Sequence, residues 1–154
     1  MDHIKKIMAT DAGIGVLMMR VPLGIVLAAH GAQKLFGWFG GYGLEGVGGW
    51  FDSIGLSPGL YLAALAGSAE FFGGLMMIFG FMTRLGAAAA GFTMLVAIVV
   101  VHMSSGLFLP DGVEFALVLM AACLCLVFEG GGAFSVDQAL AVNLNGTGVL
   151  VDSE

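Results

Sequence analysis

Positive charge is what this sequence has least of. Five Lys and Arg stand against eleven Asp and Glu in 154 residues, a formal net charge of -6, which argues against nucleic acid as a partner because phosphate binding needs a basic surface. Charge of either sign is scarce too, at 10% of residues. With 59% apolar residues and a mean hydropathy of +1.02, the composition is that of a membrane protein and not of a water-soluble domain. Cysteine is nearly missing. The two that exist, Cys123 and Cys125, are two apart in an apolar run, where helical geometry points them about 200° from each other and excludes a mutual disulfide. With no C-x-x-C motif, they read as small apolar fillers. Strand patterning is missing as well, so the segment GYGLEG, which formally matches G-x-G-x-x-G, has no preceding strand and no βαβ unit to make a nucleotide site.

What is present is a set of long apolar runs that carry few charges. A membrane-crossing helix needs about 20 apolar residues, and four candidates follow: Gly13–Phe36, Gly59–Phe81, Leu85–Leu107 and the shorter Gly112–Phe128. A cleaved signal peptide after Lys5 and Lys6 is disfavoured because Arg20 interrupts the apolar core. Small residues recur at helical spacing in Ala63–Gly67, Gly86–Ala90 and Gly73–Gly74, which lets helices approach closely in lipid, where no hydrophobic force drives association. The expected fold is all-α: a single-domain, four-helix membrane bundle, with residues from about 141 to 154 as a loosely ordered tail. Ten Met and twelve Phe fill its core and its lipid face. Lys5, Lys6 and Arg84 outvote Lys34 under the positive-inside rule and place both termini in the cytoplasm. The connection from Gly37 to Pro58 then lies outside. Its seven glycines between Gly37 and Gly49 predict a flexible, sharply turning backbone, and Trp38, Phe39, Tyr42, Trp50 and Phe51 have the amphipathic character of an interface belt.

The polar side chains inside or beside the spans are Arg20, His30, Gln33, Lys34, Glu70, His102 and Glu114. Ionisable groups in a span cost roughly 2.5–3.5 kcal/mol on insertion scales and usually face the bundle interior with a partner. Aligning span midpoints puts Glu70 near the bilayer centre and His30 and His102 roughly 7–10 Å toward one side. Arg20 falls inward of centre, within reach of Glu70, so an Arg20–Glu70 pair is expected, either functional or fixing helix register. Arg20, His30 and Lys34 share an arc of about 80° on the first helix, a face that must look inward.

Several blocks carry a family resemblance. R-x-P-L-G at Arg20, HGAQKLFGWFGGYGLEG from His30, AGSAEFFGGLMMIFGFMTR through the second span, His102, Glu114 and the late GGGAFSVD together resemble the DoxX family of small four-helix inner-membrane proteins, from about Leu17 to about Asp137. The HG-x-x-KLFG and AE-x-x-GG blocks are the most specific. The resemblance implies a prokaryotic cytoplasmic membrane and a link to the quinone pool, since the family is named for a subunit associated with a thiosulfate:quinone oxidoreductase.

A quinone head needs donors for two carbonyl oxygens and proton exchange on reduction. His30, Gln33, Lys34 and His102 can donate, Glu70 or Glu114 can relay protons, and Arg20 completes the expected ligand set. No redox centre is evident in the chain, so the reading is a quinone-interacting subunit or module of a membrane oxidoreductase system, working with a partner redox protein or as a homo-oligomer. Two alternatives stay open. One is a haem protein using His30 and His102 as axial ligands. The other is a carrier or permeation unit, for which intramembrane charges are equally expected.

Overall fold

The computed structural model describes residues 13–146, and all regular structure among them is helical. Helix α1 spans Ile14–Phe36 and stops at Gly37, whose φ of 71° is a left-handed cap that a side chain would strain. A single tight turn at Trp38–Gly40 leads into α2, Gly43–Ser53, and then α3 runs over Gly59–Phe79. After a turn at Gly80, α4 covers Thr83–Val96 and continues through a widened turn at Ala97–His102 to Ser105. Helix α5 is Glu114–Glu129 and α6 is Val136–Gly146. The tail expected from about 141 therefore begins inside a helix. Residues 147–154, together with Lys5, Lys6 and the rest of the first twelve, lie outside the described residues.

Among the described residues, three helical stretches are long and apolar enough to cross a membrane: Ile14–Phe36, Gly59–Phe79 and Thr83–Ser105. The fourth predicted span forms as α5, but its 16 residues fall short of the length that crosses without tilt or thinning of the bilayer. Helix α1 packs along α3, α3 on α4 and α4 on α5, with a lighter α1–α5 contact closing the bundle. Leu23, Leu27, Met77, Ala90, Met94, Leu119, Cys123 and Leu126 fill its centre. Phe72, Phe92, Val118 and Phe128 point outward, as expected of a surface bathed in lipid chains.

Small residues set the helix spacing. A Cβ on Gly24 would sit 2.6 Å from the Gly74 carbonyl oxygen, one on Gly73 2.7 Å from that of Gly86, and one on Gly31 would collide with the backbone of Phe71. Backbones this close gain dispersion contact that larger side chains would forbid. Cys123 is buried beside Gly91 while Cys125 is exposed, in line with their opposed directions on the helix.

The connection after α1 departs from the sequence expectation. Instead of a flexible loop it holds the 11-residue α2, because Gly48 lies directly against Gly59 and Leu60 at the start of α3. Glycine is a poor helix former alone, and here it is what lets α2 dock. Asp52 secures the following turn by accepting from Ser57 Oγ at 2.5 Å and from the Gly59 N–H at 2.8 Å. These two donors hold the Asp52 carboxyl below the usual aspartate range.

Candidate functional site

The α1–α3 register decides which polar groups meet. Gly24 faces Gly74, Gly31 faces Gly67 and Phe71, and Gly80 faces Arg20, so each step up α1 is a step back along α3. Glu70 therefore lies level with His30 and Gly31. Arg20 is ten residues further down α1, roughly 15 Å away.

The expected Arg20–Glu70 pair is accordingly not formed. Arg20, only 1% exposed, donates from Nε to the Gly131 carbonyl at 2.8 Å, from Nη1 to Met77 and Ile78 at 2.7 and 2.6 Å, and from Nη2 to Phe134 at 2.8 Å. These carbonyls belong to the end of α3 and to the segment between α5 and α6. Beside them the buried carboxylate of Asp137 accepts from the N–H groups of Met82 and Thr83 and from Thr83 Oγ1, capping the N-terminus of α4. The late GGGAFSVD block thus folds over this end of the bundle and is tied there by Arg20. Midpoint alignment went wrong because α1 and α3 do not pack centre to centre.

Glu70 meets Lys34 instead. Lys34 Nζ lies 2.5 Å from Glu70 Oε2, with the lysine side chain 25% exposed and the glutamate side chain 3%. His30 lies one turn before Lys34 on α1, level with Glu70, and its ring packs on Phe115 at 5.8 Å between centroids. Gln33 donates to the Phe39 carbonyl at 3.3 Å. His102 and Glu114 belong to the neighbouring α4–α5 connection: His102 Nδ1 bonds the Asp111 carbonyl at 2.7 Å, and Glu114 Oε1 accepts from the Leu109 N–H at 2.8 Å. Neither touches Lys34 or Glu70. Of the seven candidates the structure joins Lys34 with Glu70, keeps His30 and Gln33 beside them, ties His102 and Glu114 into a loop, and moves Arg20 to the opposite end. The two imidazoles considered as axial ligands have different neighbours, and no group of three or more His, Cys, Asp or Glu able to hold a metal exists among the described residues.

Lys34 also opens onto a cleft of about 610 Å³ between the last turn of α1 and α2, lined by Gln33, Lys34, Gly40, Gly41, Tyr42, Gly46, Val47 and Trp50. Gly41 packs against the backbone of Gln33 with no room for a side chain, which is how the turn folds down over the end of α1. Tyr42 and Trp50 were legible only as interface aromatics. Their role as cleft walls depends on α2, which the glycine count concealed. Just outside runs a chain of ring contacts, Phe39–Trp38–Phe36–Phe71–Phe72, with centroids 5.0–6.4 Å apart.

Fold and composition define a small integral-membrane helical bundle with, among the described residues, a buried polar knot at one end and a largely apolar cleft bordered by Lys34 at the other. The chain belongs to the DoxX family, whose model matches residues 15–103. It is 29% identical over 124 residues to "Putative oxidoreductase CatD" of Bacillus subtilis (strain 168), covering 80% of this chain and 85% of the relative. It is 31% identical over 133 residues to "Inner membrane protein YqjF" of Escherichia coli (strain K12), covering 82% and 92%. No solved structure gives a significant match.

Proposed function

We propose that the cleft binds the head of a quinone and that the protein is a quinone-interacting subunit or module of a membrane oxidoreductase system. The observation that carries this reading is the Lys34–Glu70 pair opening onto an aromatic-walled cleft at one end of the spans. Lys34, the Trp50 indole N–H, the Tyr42 hydroxyl and the Gln33 amide are all donors, and they suit a ligand whose polar atoms are carbonyl oxygens. Tyr42 and Trp50 supply ring faces for stacking. The volume falls within the range of small-molecule sites, and the exposed Phe36 and Phe72, with the half-buried Phe71 between them, give an apolar tail a route into lipid. The oxidoreductase name of one relative supports the class of reaction. Electrons come from a partner, and Glu70, behind Lys34, is placed to exchange a proton with the head.

The test is equilibrium binding of a short-chain quinone to the purified protein in mild detergent. Saturable binding is expected, weakened by about 1–3 kcal/mol in Lys34→Met through loss of a charged donor, with helicity unchanged. Binding that never saturates removes the reading.

We also infer that the cleft faces the outside of the cell, since Arg84 lies at the Arg20 end and the positive-inside rule assigns that end to the cytoplasm. A cysteine at exposed Ser53, in an otherwise Cys-free chain, should react with an impermeant maleimide in intact cells. Reaction only after lysis inverts the orientation.

A further inference from the structure

Among the described residues, Lys34 is the one charged side chain lining the cleft, and its charge is matched from behind by Glu70. The pair is asymmetric: the lysine side chain borders the cleft and is a quarter exposed, while the glutamate side chain is sealed between α1 and α3. An ammonium has three N–H groups, so the bond to Glu70 leaves others for a ligand. The cleft therefore offers donors with no net charge. The exposed carboxylates of Glu45 and Asp52 on α2 add only negative charge around it.

We infer that Glu70 sets the charge of the ligand the cleft accepts. An uncharged ring bearing carbonyl oxygens is admitted, and an anionic ring of similar size, such as an aromatic carboxylate, is refused. An anion would lose its hydration and find the nearby cation already neutralised, leaving an unbalanced negative charge in a partly desolvated site. A neutral carbonyl meets no such cost. The inference rests on the reading of the cleft as a ring-binding site and makes Glu70 a positioning and charge-matching residue that need not touch the ligand.

The experiment compares tetramethylbenzoquinone with 2,4,6-trimethylbenzoate as ligands of the full-length protein in mild detergent at low salt. A pH of about 8 keeps histidines neutral. The wild type should bind the quinone at least tenfold more tightly than the benzoate. Glu70→Gln, which leaves Lys34 uncompensated, should bind the benzoate at least tenfold better than the wild type does, with a gain that shrinks as salt is added, and its preference between the two rings should shift toward the benzoate. Glu70→Asp, which keeps the charge, should keep the wild-type preference. A wild type that binds both rings equally, or a preference unmoved by Glu70→Gln, overturns the inference while leaving the ring site standing. If Glu70→Gln does not fold, the wild-type preference still decides, because an uncompensated Lys34 would favour the benzoate. Saturable binding of neither ring removes the ring-binding reading itself, and this inference with it.

Discussion

Arg20 and Lys34 sit on the same helix, fourteen residues or roughly 21 Å apart, and serve opposite ends of the bundle. Arg20 is closed in: its guanidinium reaches four backbone carbonyls from two distant parts of the chain. Lys34 makes one bond, to Glu70, and keeps a quarter of its side chain open to a cleft. Both are cations in a membrane helix, and the cost of being there is met differently. A planar, multi-donor group with all three nitrogens bonded is a fastener. A compact ammonium with donors left over is available to a ligand.

The largest effect should come from breaking the fastener. Arg20→Leu leaves the carbonyls of Gly131, Met77, Ile78 and Phe134 without their donor and detaches the segment before α6, at a cost of about 3–5 kcal/mol. Thermal or denaturant unfolding in mild detergent measures it, and the molecules that stay folded should bind quinone within twofold of the wild type. A loss of affinity at unchanged stability would mean that the two ends are coupled and the contrast is false. Asp137→Ala removes three bonds at the N-terminus of α4 and should cost about 1–2 kcal/mol, again without affecting the cleft.

How much of this contrast the sequence carries depends on which link is asked. The helices were legible to within a few residues because a long apolar run in lipid has few other ways to satisfy its backbone, and α3 begins at the expected Gly59. The small residues that space the helices were legible for the same reason. The α1–α3 register was not: it is set by which glycine faces which backbone, and Glu70 consequently meets Lys34 where Arg20 was expected. Helix α2 was hidden because seven glycines predict a flexible, sharply turning backbone until Gly48 is seen against Gly59. Asp137 entered only as part of the GGGAFSVD block, and its role in capping α4 was hidden because it depends on that block folding back against Met82 and Thr83.

The smallest effect concerns the turn that leads from α2 into α3. Because the Asp52 carboxyl is held below its usual range by Ser57 and Gly59, its contribution to stability is present above the ordinary aspartate range and is lost as pH falls through the depressed value. The wild type and Asp52→Asn should therefore differ slightly in Tm near neutrality and converge under acid conditions. A difference that widens on acidification would reverse the sign.

Tryptophan fluorescence tests the assignment of the ligand to the Lys34 end most directly. The chain has two tryptophans: Trp50 lines the cleft, and Trp38 stacks on Phe36 outside it. In a Trp38→Phe protein, a short-chain quinone should quench Trp50 along a saturating curve, and adding Lys34→Met should shift that curve to higher concentration while Arg20→Lys leaves it in place. Quenching that rises linearly with quinone and ignores Lys34 would report only quinone dissolved in the surrounding detergent and would contradict the account.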